Sequence, residues 1–143
     1  MRCLLDVNVI ISLLDSDHAF HSRAHKWWGE NSPAWASCPI TENGVLRIMA
    51  SPSYCESRPC SIQELVIMLQ RFTTSTDHTL WADEVSVLDA QKFEHPRILG
   101  NKTLTDLYLL ALAVKNKGCL VTFDRAIALS TVKRAKPENL VVL

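Results

Sequence analysis

Four acidic residues stand where a carboxylate can do chemistry: Asp6, Glu42, Asp106 and Asp124. Asp6 and Asp124 each close a short apolar run, Cys3-Leu4-Leu5 and Cys119-Leu120-Val121-Thr122-Phe123. Glu42 and Asp106 each follow a threonine, Thr41 and Thr105, and each leads into an apolar stretch. An acid that ends a buried parallel strand, or opens a helix beside one, lies on the edge where open α/β sheets bind ligands. Four carboxylates gathered there would repel and raise each other's pKa unless a cation neutralised them. An all-oxygen donor set suits Mg²⁺ or Mn²⁺ rather than zinc. Such a site is best fitted to phosphodiester hydrolysis, one ion activating water and a second, about 4 Å away, steadying the leaving oxygen. Asn8, Thr105 and Thr122 are the neutral hydrogen-bonding neighbours of this expected cluster. Plainer readings compete: Glu42 and Asp106 as favourable charges at helix N-termini, and Asp6 as a residue entering a loop.

The elements that must position these acids follow from apolar periodicity and its punctuation. Arg2–Asp6 reads as a first strand, and Asn8 as the opening of a helix over Val9 to Leu14. Ser16 or Asp17 can cap a helix to about Glu30, with Ala24, Trp27 and Trp28 on its apolar side. Residues 35–38 form a second strand, and Thr41 caps a helix from Glu42 to Ala50. The run over 51–60, rich in proline and serine, is a loop. Ser61 with Glu64 three residues on makes a capping box for the next helix. The third strand is either His78–Trp81, with Asp83 capping a short helix through Leu88 and Phe93, or Val85–Leu88 itself. Thr105 caps a helix from Asp106 to about Lys117 that is apolar almost all round and therefore central, with Gly118 closing it. Residues 119–123 and 140–143 supply the last two strands. Strands alternating with helices imply an α/β fold with a mostly parallel sheet of four to five strands, covered on both faces.

Composition sets outer bounds. The 143 residues are 48% hydrophobic and 21% charged, the balance of one ordinary globular domain spanning 1–143. Fifteen basic and fifteen acidic residues cancel, so net charge argues neither for nor against nucleic acid. No apolar run approaches the roughly 20 residues of a membrane span, and the N-terminus has too little apolar length for a signal peptide. Five scattered cysteines without a Cys-x-x-Cys suggest free, mostly buried thiols in a reducing, cytoplasmic setting.

Four motifs in order carry a family resemblance: Leu4-Leu5-Asp6-Val7-Asn8-Val9-Ile10, Thr41-Glu42-Asn43-Gly44-Val45-Leu46-Arg47, Thr105-Asp106-Leu107-Tyr108-Leu109-Leu110-Ala111, and Val121-Thr122-Phe123-Asp124-Arg125. Together they resemble the PIN-domain family and, more narrowly, the VapC toxins of bacterial VapBC toxin–antitoxin pairs. The resemblance spans essentially the whole chain. It implies a PIN-like three-layer α/β/α sandwich and a Mg²⁺- or Mn²⁺-dependent endoribonuclease. It further implies a homodimer held in check by a VapB-type antitoxin whose tail lies across the early helices. On it, Asp6 and Asp106 are the principal metal ligands. Glu42 and Asp124 complete the cluster directly or through water, Asn8 orients Asp6, and Thr122 hydrogen-bonds within the site. Val7 departs from the threonine that many members carry after the first aspartate.

Other features have weaker claims. His18, His21 and His25 have helical spacing but lack a fourth ligand for structural zinc. Of Trp27 and Trp28, one is expected in the core and one as an exposed anchor, unless a bent helix end packs both. Arg47, Arg125, Lys102 and the basic run Lys133–Lys136 are candidate contacts for RNA phosphates, Arg125 the better of them; the run reads first as a solvated face. Two rival functions stand beside the nuclease. One is a non-catalytic or very slow binding domain of the same fold. The other is a HAD-type phosphohydrolase, which wants an aspartate two residues past the first where this chain has Asn8.

Overall fold

The computed structural model describes residues 1–55 and 57–143. Its elements are β1 (Cys3–Leu5), α1 (Val7–Leu14), α2 (His21–Asn31), β2 (Trp35–Ser37), α3 (Pro39–Met49), α4 (Ile62–Thr74), β3 (His78–Leu80), α5 (Leu104–Lys115), β4 (Cys119–Thr122) and β5 (Leu140–Val142), with short 3₁₀ turns between. The five strands pair in the order β3-β2-β1-β4-β5, every pairing parallel. The chain steps one way from β1 to β2 and β3, then returns to the other side of β1 with β4. The order therefore reverses between β1 and β4, and a crevice opens at the C-terminal ends of those two strands.

Strand alternation divides the core into two layers. Leu4, Ala36 and Leu120 face α5 and the residues 81–98 and 127–135 around it. Leu5, Trp35 and Val121 face α1, α2, α3 and α4. The three central strands are buried on both faces, which is why they read as unbroken apolar runs. In α5 every residue from Leu107 to Ala113 is buried, the central helix that its composition predicted. Arg2 ties the opposite ends of the strands together, donating to the Trp35 carbonyl at 2.8 Å and pairing with Asp77 at 2.9 Å.

Several boundaries differ from the sequence reading, each for a local reason. Asp6, not Asn8, caps α1, its carboxylate accepting from the Val7 N–H at 2.7 Å. At α3 the cap is Cys38, and the Thr41 hydroxyl reaches back to accept from the Cys38 N–H at 2.9 Å. Helix α5 starts at Leu104, ahead of Thr105. Residues 15–20 are a hydrogen-bonded turn, with the Asp17 N–H on the Asp15 carboxylate and the Phe20 N–H on His18 Nδ1, so α2 begins only at His21. The third strand is the first of the two alternatives, His78–Leu80. The helix expected after Asp83 is absent among the described residues, because Val85 and Phe93 drop separately into the α5 layer from a chain of turns. The capping box of α4 is as expected. The loop over 51–60 is seen for its described residues, Glu56 lying outside them.

The three early histidines are accounted for without a metal. His21 Nδ1 and His25 Nε2 take the Ser12 and Leu13 carbonyls at 2.8 and 3.0 Å, satisfying the exposed end of α1. Trp27 and Trp28 are both half-buried against the α1–α4 layer, Trp28 edge-on to Trp35, so of the two expected arrangements it is the one in which both pack.

Gly118 closes the α5–β4 connection by close approach rather than by a left-handed turn, which Lys117 supplies at φ 55°. A Cβ on Gly118 would lie 2.5 Å from the Arg2 carbonyl oxygen and 2.7 Å from the Trp81 ring. Gly118→Ala is expected to cost on the order of 1–3 kcal/mol of stability, the range of overpacking. Urea denaturation measures it, and an unchanged midpoint would show that the strand pair tolerates the shift.

Candidate functional site

Asp6 follows β1 and Asp124 follows β4 by two residues, so both sit at the crevice where the strand order reverses. Asp106 enters from the first turn of α5. One hydroxyl links the two strand ends. Thr122 Oγ1 donates to Asp6 Oδ2 at 2.8 Å and accepts from the Asp124 N–H at 3.1 Å. With the Val7 N–H on Oδ1, both oxygens of Asp6 are engaged and the side chain, only 8% exposed, has one orientation. Asp124 is half-buried, and its Oδ1 accepts from the Ala126 N–H at 2.7 Å.

The three aspartates influence one another's charge. Burial pushes the Asp106 carboxyl up to about 7, helped by the charges of Asp6 and Asp124 and by a hydrogen bond that a proton on Asp106 can make to Asp124. Asp6 is also raised, first by burial and in smaller part by Asp124, although Thr122 and the Val7 N–H pull the other way. These are the signs expected of carboxylates crowded at a half-buried site. The donor set is all oxygen and carries the charge a hard divalent cation would neutralise, so it fits Mg²⁺ or Mn²⁺ in chemistry. It is not a ready-made cage. Among the described residues no three His, Cys, Asp or Glu side chains stand together as ligands of one ion, and Asp6 and Asp124 each accept from local donors.

Glu42 is turned toward the end of β2, the strand next to β1. Its Oε1 accepts from Ser37 Oγ at 2.7 Å, on the β2–β3 side of the sheet. Ser37 has a single proton and gives it to Glu42, so the 2.8 Å contact with His78 Nε2 has the imidazole N–H donating to Ser37. Nothing beside Glu42 in sequence announces these partners. Ser37 lies at the end of β2 and His78 at the start of β3, and only strand pairing brings them together.

The supporting residues divide. Thr122 is buried between two of the acids. Asn8 and Thr105 are exposed beside Asp6 and Asp106 and line a groove with Arg47, Asn43 and Asp83. Arg125 is exposed next to Asp124. Lys133 bonds to the Ala90 carbonyl at 2.8 Å and pairs with Glu94 at 3.7 Å, the behaviour of a solvated face. Asp83, read from the sequence only as a helix cap, and Asn43, given no role there, share this groove only through the fold.

A family model for the PIN domain matches residues 3–132. Ribonuclease VapC44 of Mycobacterium tuberculosis is 44% identical over 144 residues, covering 100% of this chain and 100% of that protein. Ribonuclease VapC39 of the same species is 36% identical over 132 residues, with 90% and 92% covered. Among solved structures, VapC20 of M. tuberculosis, described as a Sarcin-Ricin loop cleaving toxin, superposes with a TM-score of 0.60 at 15% identity over 87% of this chain and 91% of that one. The VapBC2 proteins of Rickettsia felis, solved bound to a DNA fragment from their promoter, give a TM-score of 0.55 at 15% identity over 100% and 98%. At that identity the two structures bear on the fold alone.

The crowding of the aspartates has a consequence for stability. The Asp106 carboxyl lies near 7 in the fold and at about 3.9 in an unfolded chain. Between those values the folded state holds a proton that the unfolded state has lost. Stability therefore falls as pH rises through this window, and the penalty is complete above about 7. In EDTA the protein is expected to melt several degrees higher at about pH 5.5 than at about pH 8. Asp106→Asn should remove most of that difference in a thermal melt; an unaltered pH slope would place the raised carboxyl elsewhere.

Proposed function

The chain belongs to the PIN-domain family, in its VapC group, and from that footing we propose that it is a metal-dependent endoribonuclease, the toxin of a type II toxin–antitoxin pair. The observation that carries the reading is the meeting of Asp6, Asp106 and Asp124 at the β1–β4 crevice, with the Asp106 carboxyl held near 7. Relatives at up to 44% identity over the full chain bear the name ribonuclease, which supports RNA as the substrate.

In this reading Asp6, Asp106 and Asp124 would hold Mg²⁺ or Mn²⁺. When bound, such an ion would supply Lewis acidity toward water and the phosphate. Asp6, fixed by Thr122 and the Val7 N–H, sets the position around which the other two adjust. Thr122 is a positioning residue, holding Asp6 and the Asp124 backbone at once. Glu42, tied to Ser37, stands outside the ion's immediate ligands. Arg125 and Arg47 are exposed near the site and offer guanidinium groups to RNA phosphates. Water adds to phosphorus, the bond to the 3′ oxygen breaks, and the products carry 5′-phosphate and 3′-hydroxyl ends.

The partners follow from the same group. A VapB-type antitoxin is the proposed inhibitor, a reading supported by a structural neighbour solved as a VapBC pair. A homodimer and a cytoplasmic location complete the proposal. No helix of the described residues is long and apolar enough to cross a membrane. One observation favours a second reading, a fold that docks a partner without catalysis: two of the three carboxylates are already committed to donors within the chain.

Cleavage of total RNA by the purified protein, with Mg²⁺, Mn²⁺ or EDTA, separates these readings. Discrete fragments are expected that vanish in EDTA and in Asp6→Ala or Asp106→Ala, both of which should remain folded. Thr122→Val should retain activity lowered by roughly 10–100-fold, the usual effect of removing a partner that orients a ligand. A variant of Asp6 or Asp106 that cuts like the parent would dismantle the site assignment, and a folded parent that never cuts would favour the docking reading.

A further inference from the structure

The charge of the chain sums to zero, but its cations are not spread evenly. Lys92, Lys115, Lys117, Lys133 and Arg134 line one groove of about 350 Å³, and no acid shares the lining. A third of the fifteen lysines and arginines thus stand in one place. They come from three segments. Lys115 and Lys117 lie at the end of α5, Lys92 between β3 and α5, and Lys133 and Arg134 after the 3₁₀ turn at Leu129–Thr131. The last two segments are pinned together. The Lys133 N–H donates to the Lys92 carbonyl at 2.8 Å, and Phe93 and Val132 form an antiparallel bridge.

Lys115 and Lys133 have acidic partners, Glu84 and Glu94, that stand outside the lining. Lys92, Lys117 and Arg134 pair with no acid among the described residues. The helix dipole favours cations at the end of α5, which accounts for Lys115 and Lys117 but not for cations brought there from elsewhere. The run that begins at Lys133 reads as a solvated face by itself; the fold changes that by setting Lys92, Lys115 and Lys117 beside it. The backbone points the same way. Three non-glycine residues have positive φ, and two of them are Lys117 at 55° and Arg134 at 66°. Glycine or asparagine adopts that conformation more readily, yet both positions carry a cation. Like charges gathered without an acid among them repel, and a bound polyanion relieves the repulsion.

The groove suits a phosphodiester chain better than an acidic peptide. Ala111 and Val132 in its lining are each only 3% exposed, and no exposed large hydrophobic belongs to it. A protein partner wants such an apolar or aromatic anchor, whereas a nucleic-acid backbone is held by charge alone. The groove also lies along the helix that supplies Asp106. Lys115 is nine residues further on, roughly 14 Å along α5 at about 1.5 Å per residue, so one RNA molecule can reach both.

We propose that this groove is a second RNA contact, holding the phosphodiester backbone of the substrate away from the bond that is cut. Lys92, Lys117 and Arg134 meet phosphates directly, and Lys115 and Lys133 add to the potential around them. The contact is blind to base sequence and acts on affinity, not on the chemical step. It rests on the ribonuclease reading for calling that RNA a substrate, and on the groove alone for binding it.

Binding of a labelled, long single-stranded RNA is followed by fluorescence anisotropy in EDTA over a range of salt concentrations. The parent is compared with Lys117→Asn/Arg134→Asn, in which asparagine suits the left-handed backbone, and with Lys117→Arg/Arg134→Lys, which keeps both charges. The neutral pair should bind on the order of tenfold more weakly, and the slope of log affinity against log salt should fall by about 1.4, roughly 0.7 for each lost phosphate contact. The charge-keeping pair should match the parent. With Mg²⁺ present, the neutral pair should cut the same RNA with a raised KM and an unchanged kcat. Equal salt slopes in the parent and the neutral pair overturn the groove, and if the parent still cuts RNA the ribonuclease reading survives. The predicted slopes with no cleavage by the parent keep the groove and sink the ribonuclease reading. A parent without affinity for RNA at low salt overturns the groove. So does a neutral pair that keeps its affinity for RNA but loses affinity for polyglutamate, which assigns the surface to an acidic protein.

Discussion

The hydrogen bond from Thr122 Oγ1 to Asp6 Oδ2 joins residues 116 positions apart and marks where the fold turns into a site. It forms because β1 and β4 are neighbours, and they are neighbours because the strand order reverses there. The same hydroxyl accepts the Asp124 N–H, so one threonine fixes the relation between the two strand-end acids. The flanking architecture keeps this contact rigid. Leu4 and Leu5 anchor β1 into opposite layers, Leu120 and Val121 do the same for β4, and the buried α5 delivers Asp106 from below. Bringing three carboxylates to one half-buried place works against stability, and the two full apolar layers offset that opposition.

What could be read in the sequence were the features set by local composition. The central strands are short apolar runs ending in an acid or at a proline, and α5 is apolar almost all round; both were legible because burial on every side leaves an unbroken pattern. Asp6 and Asp124 stood out because each lies at the end of such a run, and Asp106 because it opens the apolar α5. Helix starts were misplaced at α1, α3 and α5, where a polar residue inside the first turn resembles a cap. Thr41 bonds back to Cys38 from within its helix, and Asp6 serves its strand and its helix at once.

Glu42 shows how much of a side chain's setting lies outside its own stretch of sequence. Its place in the first turn of α3 puts it on the right edge of the sheet, but its direction is decided by Ser37 and by His78, which reaches Ser37 only through the β2–β3 pairing. The histidines of α2 were ambiguous for a similar reason. Their spacing suits a metal, while the Ser12 and Leu13 carbonyls they serve belong to another helix. Asp83 and Tyr108 come together from separate segments, and no spacing in the chain announces that meeting.

The account stands or falls on whether Asp6, Asp106 and Asp124 act on one cation as a unit. A Mn²⁺ titration of the metal-free protein, read by electron paramagnetic resonance and repeated on Asp6→Asn, Asp124→Asn and Glu42→Gln, tests this without any RNA. The account predicts that Mn²⁺ binds the parent and Glu42→Gln alike, and binds Asp6→Asn and Asp124→Asn at least on the order of tenfold more weakly. Equal affinity in all four proteins, or a loss confined to Glu42→Gln, would contradict it.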